Sequence, residues 1–358
     1  MADPTQLRLL KQGTLTWNTW RKDHPEAVID LSGVDLCCLR LKRGVDLSKA
    51  NLEGSELAAA ILNEAILDEA NLRGVNLRAA SLSHARFAGA TLDGANFYEA
   101  FLKEAVFARA SLRQAQLREA YLSGAQFVAA DLTGADFSGA DLTLAGIRES
   151  RTKGATLSRC YLSGISVENT PLEEAIQSDL IVTQPWESSL AVDDFGMAQQ
   201  VWLFLSKEVT QGSEPPVTQL VLLLGLPERE GILNRLRDAL RLHHYATALF
   251  DWSRPTDRSL EILSTLAPLV RFLLAEITDA PSLAGDLRVL VPELQAVPMQ
   301  LLWHGALSQS QQHDCQSLCR SPWVLATQYQ ETDALLNTFS EQIINALEQK
   351  AQESARRR

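Results

Sequence analysis

The chain has 358 residues, enough for two domains, and its 46 % hydrophobic and 22 % charged content is ordinary for a soluble globular protein. Its net charge of −11 argues against direct nucleic-acid binding, and no apolar run is long enough to span a membrane. The start MADPTQLRLL lacks a signal-peptide core, and the five cysteines show no disulfide-framework spacing. We therefore expect a cytoplasmic protein with reduced thiols, no bound metal and no cofactor.

Residues 1–28 are predicted to form an N-terminal helical cap. Residues 4–12 have the apolar spacing of a short amphipathic helix, with Leu7, Leu9 and Leu10 as anchors. Two tryptophans follow, Trp17 and Trp20. They could form a recognition platform, but the repeat that follows has an open end that needs a lid, so we favour a structural role.

Residues 29–175 repeat every five residues. From Leu47 to Leu172 there are 26 units without an insertion, and every central residue is Leu, Phe, Ile or Val except Thr152. The position two residues earlier is Ala in 19 of the 26. Earlier repeats at Leu31, Leu36 and Leu41 are one residue out of phase, so a bulge or loop is expected near residues 42–44. A period of five fits neither a helix nor a flat strand and indicates a solenoid of stacked units.

This motif resembles the pentapeptide-repeat family, whose members form a right-handed quadrilateral parallel β-helix. The resemblance implies four units per coil. The central residues agree with an even number of sides, because all five central Phe fall in one alternate set of units: Phe87, Phe97, Phe107, Phe127 and Phe137.

Residues 176–217 are predicted to contain a connection, a helix near residues 197–205, and a linker at 211–216. Residues 218–358 change pattern completely. Continuous apolar strands alternate with helices, which predicts a parallel sheet covered on both faces. The predicted strands are 220–225, 246–250, 272–277, 297–302 and 323–327. Five such strands favour a flavodoxin-like α/β domain, with any ligand at their carboxyl ends.

A weaker resemblance concerns those strand ends. The segments LFD at 249–251, LLAEITD at 273–279 and GDL at 285–287 resemble TIR-like and nucleoside-deoxyribosyltransferase-like folds. In that group a strand ends in a motif similar to I-A-D-L-T, and a Glu early in the next helix acts on the ribosyl carbon of a nucleotide. The resemblance places Glu276 at the strand-end Asp and Asp286 at the catalytic Glu. Both depart from the pattern, and a carboxylate misplaced by about 1 Å loses much of its catalytic effect.

The other strand-end residues are candidates for binding a nucleotide, namely Gly225, Asp251 and Arg254. The alternative is that the carboxylates of Asp251, Glu276 and Asp286 cap helices. Cys315 and Cys319 could be metal ligands, but a structural zinc site needs two such pairs, so a helix carrying two ordinary thiols is the better interpretation.

The residue before each central residue should point outward, and most are polar. Six are large and apolar, and with four units per coil they fall on two adjacent sides: Ile61, Phe101, Tyr121 and Tyr161 on one, Ile66 and Val106 on the next. Clustered exposed apolar residues mark contacts. We expect this surface to be covered by the other domain of the chain or by a second copy in a homodimer.

Three functions follow as hypotheses. The first is a non-enzymatic scaffold whose repeat tower presents the α/β domain to a protein partner. The second is a TIR-like glycohydrolase or transferase acting on NAD or a nucleoside. The third is a DNA mimic that binds gyrase, as in the quinolone-resistance branch of the pentapeptide-repeat family. Mimicry needs a surface of one sign, and seven arginines interrupt the acids: Arg73, Arg78, Arg86, Arg109, Arg113, Arg118 and Arg148.

Overall fold

The structure is a computed structural model that describes residues 2–206, 220–253, 255–292, 294 and 297–356. The chain divides into two compact units, Met1–Ile181 and Val182–Arg358. The first unit therefore extends beyond residue 175, where the sequence pattern places the end of the repeat. The predicted linker at 211–216 lies outside the described residues.

The N-terminal cap consists of α1, Pro4–Lys11, and α2, Thr14–Asp23. α1 begins where it does because the Asp3 carboxylate accepts hydrogen bonds from the amides of Thr5 and Gln6, and because Pro4 occupies the first helical position. The Gln6 side chain then bonds the backbone of the first coil, donating to the Val28 carbonyl at 2.8 Å.

α2 covers the backbone of the first coil with side-chain hydrogen bonds. Trp17 is fully buried and its Nε1 donates to the Asp46 carbonyl at 2.6 Å. Asn18 donates to the Gly44 carbonyl at 2.8 Å, and Arg21 donates to a carbonyl further along the same edge. Carbonyl groups that would otherwise form an exposed strand edge are thus paired.

Residues 30–181 of this unit form a parallel β-helix in which each coil pairs with the next. The bridges join residues 20 apart, for example Asn51 to Asn71 and Asn71 to Thr91. Twenty residues are four units of five, so each coil has four sides. Six segments are long enough to count as strands: β1 Gln126–Val128, β2 Gly146–Arg148, β3 Thr156–Ser158, β4 Ser166–Glu168, β5 Ile176–Ser178 and β6 Leu180–Ile181.

The first coil contains the extra residue that the sequence predicts. Asp30 bridges to Asn51 and Arg40 to Ile61, an offset of 21, whereas Asp46 bridges to Ile66, an offset of 20. The added residue therefore lies between 40 and 46. Gly44, with φ of 75°, occupies this stretch in the left-handed region, where a residue without a Cβ is favoured.

The interior of the β-helix is filled by central residues stacked in columns. The rings of Phe87, Phe107 and Phe127 stack with centroids 4.9 Å apart, which is the spacing of adjacent coils. Phe97 belongs to the opposite wall and meets Phe87 edge-on at 6.1 Å. The polar exception Thr152 is buried, and its hydroxyl donates to the Pro171 carbonyl at 2.7 Å. The central Phe therefore line two opposite walls of the coil, in agreement with their place in one alternate set of units.

The second unit is built on a mostly parallel sheet. Its strands are β7 Leu190–Val192, β8 Leu220–Gly225, β9 Ala246–Asp251, β10 Val270–Glu276, β11 Met299–His304 and β12 Val324–Tyr329. They lie in the order β12-β11-β10-β8-β9-β7. β8 to β12 are parallel, and β7 runs antiparallel to β9. Numbered in chain order, the five parallel strands have the order 2-1-3-4-5.

Helices connect these strands. They are α3 Phe195–Leu205, α4 Glu230–Leu242, α5 Asp257–Leu266, α6 Pro281–Leu290, α7 Gln309–Leu318, α8 Thr332–Asn337 and α9 Asn345–Ala355. A π-helix, Phe339–Ile344, joins α8 to α9. One face of the sheet packs Val221, Leu223 and Phe272 against α4, α8, the π-helix and α9. The alternating residues Leu222 and Leu224 are buried as well, so both faces are covered. In the part of the chain that the structure describes, no helix combines the length and apolar character needed to cross a bilayer.

The close packing of the β-helix interior predicts that enlarging an inward residue destabilises the first unit. Ala110 is 1 % exposed at an inward position, whereas Ala108 is only partly buried at an outward position of the preceding unit. We expect Ala110→Leu to destabilise the first unit by about 1–3 kcal/mol, because the core has no space for three more carbons. Ala108→Leu is the matched control and should change the unfolding midpoint little. Equal urea midpoints for the two variants would contradict the inward assignment.

Candidate functional site

The carboxyl ends of the parallel strands carry a buried polar network centred on Glu276. Glu276 is the last residue of β10, and its side chain is 0 % exposed. Its Oε1 accepts a hydrogen bond from the Tyr329 hydroxyl at 2.9 Å and from Arg229 Nη2 at 3.3 Å. The Thr278 hydroxyl donates to the same oxygen. Three donors on one carboxylate oxygen hold Glu276 in a single orientation.

Arg229 and Tyr329 are coupled to each other as well as to Glu276. Arg229 Nη2 donates to the Tyr329 hydroxyl at 2.7 Å, and that hydroxyl in turn donates to Glu276. Burial and the negative charge of Glu276 raise the pKa of Tyr329 to about 12, so the hydroxyl stays a donor at neutral pH. Burial opposes the charged form of Arg229, but the charge of Glu276 and the hydrogen bonds to Tyr329 and Glu276 together outweigh it and raise the pKa of this guanidinium.

A second layer of bonds ties the network to β11. The Thr278 hydroxyl accepts a hydrogen bond from the His304 amide at 2.8 Å. His304 Nε2 lies 2.9 Å from the Gln330 carbonyl, which follows β12. The second oxygen of Glu276, Oε2, is buried and has no hydrogen-bond partner among the described residues. The carboxylate therefore links the ends of three strands but presents no surface to solvent.

The structure places the predicted strand-end residues in separate local roles. The Asp286 carboxylate on α6 accepts a hydrogen bond from Trp252 Nε1 at 3.1 Å. Asp251 accepts one from the Ser253 amide at 2.7 Å, which closes a local turn. A Cβ at Gly225 would lie 2.8 Å from the Leu233 side chain, so packing of α4 accounts for this glycine. Arg254 lies outside the described residues.

Sequence reasoning found Glu276 but missed Arg229, Tyr329 and Thr278. Arg229 lies in a 3₁₀ turn, Pro227–Arg229, between β8 and α4, outside the strand-end segments that carry the resemblance. Tyr329 was missed because the last strand was predicted to end at residue 327, whereas β12 continues to Tyr329. The signal available in the sequence was a polar residue at the end of each of several parallel strands, which indicates that these side chains meet.

A shallow groove of about 480 Å³ opens beside the ends of β11 and β12. Cys315 and Cys319 of α7 lie in its wall. Neighbouring Asp314 pairs with Arg288 at 3.1 Å. Across residues 2–206, 220–253, 255–292, 294 and 297–356, the structure contains no group of three or more His, Cys, Asp or Glu that could hold a metal ion. Cys315 lies on α7, and Cys319 is the residue that caps the C-terminal end of this helix.

The second candidate is the apolar surface of the β-helix, here called the tower patch: Ile61, Phe101, Tyr121 and Tyr161 on one side, Ile66 and Val106 on the next. The ladder of bridges places the first four in one column and the other two in another. Phe101 and Tyr121 are 47 % and 49 % exposed, and their rings stack in parallel at 4.8 Å. The remaining four are partly buried.

One further apolar residue of this side was not found from the sequence. Leu144 is 64 % exposed and occupies a corner of the coil with φ of 57°. The residue one coil earlier in the same column is Gly124, which carries no side chain. Leu144 lies at a corner of the coil and not just before a central residue, so the pattern of outward positions does not include it.

Comparisons with known proteins agree with the repeat. Residues 42–117 match a family model described as a pentapeptide repeat region, and residues 110–145 match one described as pentapeptide repeats in eight copies. The predicted pentapeptide repeat is therefore confirmed over residues 42–145. Both matches lie in the first unit, so the resemblance of the second unit to TIR-like folds stays a prediction. No curated protein matches the chain.

Solved structures of pentapeptide repeat proteins are also similar. One is HetL, involved in heterocyst differentiation regulation in the cyanobacterium Nostoc sp. strain PCC 7120, at 24 % identity over 43 % of this chain and 87 % of HetL, with a TM-score of 0.23. Another, from the Arabidopsis thaliana thylakoid lumen, is 28 % identical over 37 % of this chain and 77 % of its own, with a TM-score of 0.24. QnrB1, a plasmid-mediated fluoroquinolone resistance protein, is 18 % identical over 40 % and 91 %, with a TM-score of 0.23.

Because Glu276 is buried and paired with Arg229, we expect its replacement to lower the stability of the second unit rather than to remove an exposed catalytic group. In Glu276→Gln the guanidinium of Arg229, which is 24 % exposed, loses its counter-ion. We expect a loss of about 3 kcal/mol in the free energy of unfolding of the second unit, at the low end for a broken buried pair. Asp251→Asn is the control, since an amide oxygen can still accept from Ser253. A Glu276→Gln variant as stable as this control in urea denaturation would show that the network is not structural.

Proposed function

We propose that this chain, whose residues 42–145 form a pentapeptide-repeat region, is a non-enzymatic interaction protein that binds a protein partner through the tower patch. The observation that carries the proposal is the exposed Phe101–Tyr121 stack. About half of each ring is open to solvent. Covering that area is worth roughly 2 kcal/mol per ring, which is typical of an interface anchor.

The β-helix suits this role because its outward positions do not determine its fold. The inward Ala and Leu positions are buried along the whole repeat. The polar outward residues of other sides form ladders along the coils, such as Asn71 donating to Asn51 at 3.0 Å. An aromatic column among polar ones therefore adds little to folding. The free-energy cost of exposing this apolar column to water is offset when a partner covers it.

The charges of the β-helix weigh against mimicry of duplex DNA. Six of the seven arginines that interrupt the acids pair with carboxylates at distances up to 3.9 Å, mostly on an adjacent coil: Arg73, Arg78, Arg86, Arg113, Arg118 and Arg148. Such pairs contribute little stability at an exposed surface. They do neutralise the negative field that a DNA mimic requires.

The second unit offers a nucleotide-binding hypothesis as the other candidate. Its strand order 2-1-3-4-5 supports a flavodoxin-like class, in which ligands bind outside the strand ends where the order reverses. That place lies between β8 and β10, and the Arg229–Glu276 pair spans it at 3.3 Å. The polar groups that would meet a ligand are thus bonded to one another, which supports a structural role for this edge.

The interaction proposal is tested with the full chain as bait. We expect wild type to retain a protein partner, or to self-associate, and Phe101→Asp with Tyr121→Asp to lose that binding because two charges enter an apolar contact. The matched control is Asn96→Asp with Gln116→Asp, which adds the same two charges to the preceding side of the same coils. Affinity capture with identified proteins and light scattering give the readouts. Identical partner lists and masses for wild type and the aromatic variant would refute the tower patch as the binding surface.

The enzyme alternative has its own assay. Incubating the purified chain with NAD and with nucleosides, and following cleavage of the glycosidic bond, should give no turnover above buffer, because Glu276 has no exposed surface and Asp286 is bonded to Trp252. Turnover in wild type that Asp286→Asn abolishes would instead support the glycohydrolase hypothesis.

A further inference from the structure

Two adjacent cysteines lie at an exposed corner of the first coil. Cys37 and Cys38 are both exposed, and their sulfur atoms are 3.5 Å apart. They occupy the two central positions of a turn closed by the Leu39 amide donating to the Leu36 carbonyl at 3.0 Å. The fold therefore holds two thiols side by side on the surface of the β-helix.

The backbone around the pair is fixed by further hydrogen bonds. The Cys38 amide donates to the Ala58 carbonyl of the next coil at 2.9 Å. The Cys37 amide donates to the Asp35 carboxylate at 3.0 Å. Cys38 has φ of 59°, the left-handed corner conformation that recurs along this β-helix. The dithiol is thus pre-organised and does not need to be assembled when a ligand binds.

Access to the sulfurs is open because the neighbouring side chains are small. The residues that stack below Cys37 and Cys38 on the next coil are Ala58 and Ala59. One coil further along, the column carries Arg78, whose guanidinium lies over the Tyr98 ring at 5.2 Å. The first two coils of this column therefore leave room for a ligand beside the two thiols.

The geometry disfavours a direct disulfide between the pair. Adjacent Cα atoms across a trans peptide are about 3.8 Å apart, below the span of about 4.4–6.8 Å that disulfides usually take. A third atom between the sulfurs fits better. Bonds of about 2.3 Å to each sulfur, the length found for zinc–thiolate, would meet at about 100° across 3.5 Å.

The number of protein ligands at this corner decides which atom can bridge the two sulfurs. A structural zinc ion needs four, and the described residues supply no group of three or more His, Cys, Asp or Glu for a metal ion. A trivalent arsenical needs only two sulfurs, because its own substituent fills the third position. The hydrogen bond with Cys38 raises the pKa of the Cys37 thiol, so Cys37 is mainly protonated at neutral pH.

We propose that Cys37 and Cys38 form a vicinal dithiol site that captures trivalent arsenicals. A monosubstituted arsenic oxide condenses with both thiols: two As–S bonds form, the As–O bond breaks, and the oxygen leaves as water with the two thiol protons. Arsenic stays trivalent and sulfur stays at the thiol level, so the step needs no oxidant or reductant. The site shares no residue with the tower patch and does not depend on the interaction proposal.

The test uses the reduced full chain and phenylarsine oxide, followed by intact mass spectrometry. We expect one arsenical per chain, retained in excess glutathione and released by a small dithiol. Cys37→Ser and Cys38→Ser should each weaken retention about a hundredfold or more, because the second As–S bond forms intramolecularly only when both thiols are present. The matched control is Cys315→Ser with Cys319→Ser, which removes the other closely spaced pair and should retain the arsenical.

Three results would overturn the proposal. One is equal retention by Cys37→Ser and wild type. Another is loss of the arsenical in the Cys315→Ser and Cys319→Ser control while the single variants keep it. The third is a peptide spanning residues 37–38 that is lighter by two hydrogens after reduction and desalting, which would show a direct disulfide. Circular dichroism melts of each variant confirm that binding differences do not arise from unfolding.

Discussion

The parallel pairing of each coil with the next is the constraint on which the first unit depends. Leu52 donates to the Asn71 carbonyl at 2.7 Å, and Asn71 donates to the Ala50 carbonyl at 3.0 Å, and this pattern recurs coil after coil. Because the offset is 20, a residue's nearest surface neighbours are those 20 positions away in sequence. Side chains therefore act in columns. The stacks Phe87–Phe107–Phe127 inside and Phe101–Tyr121 outside are two results of the same offset.

The same pairing creates a problem at the first coil, since a parallel ladder must begin at an edge with unpaired backbone groups. α2 meets that need with side chains rather than with another strand. Trp17 contributes both a buried ring and an Nε1 donor, and Asn18 contributes a donor and an acceptor to the backbone at Gly44 and Asp46. A tryptophan platform for recognition would need an exposed ring, which Trp17 lacks.

The sequence predicts most of the first unit because its period is local. Each unit of five contains its own inward residues, so counting gives an even number of sides and the one-residue shift before Asp46. The four units per coil that the family resemblance implies then give the columns of the tower patch. In the second unit the five parallel strands are equally local and were predicted within a few residues, whereas the antiparallel strand β7 was not predicted. The contacts between the strand ends are not local and were not predicted. Arg229, Glu276 and Tyr329 are separated by 47 and 53 positions and meet only through the order of the strands. Asp286 shows the converse, since a motif spacing placed it with Glu276, whereas its carboxylate bonds Trp252.

The residues that fix the fold and the residues that remain available for binding are thus arranged differently in the two units. In the sheet of the second unit, the polar residues at the strand ends are joined to one another, and removing Glu276 would disturb the structure that positions Arg229. In the β-helix, backbone pairing and inward side chains fix the fold, and an outward residue such as Phe101 or Cys37 contributes little to it. Exposed aromatic rings and paired thiols are therefore hard to explain by stability alone. Their presence at outward positions is the physical reason to look for binding on the surface of the β-helix rather than at the strand ends of the sheet.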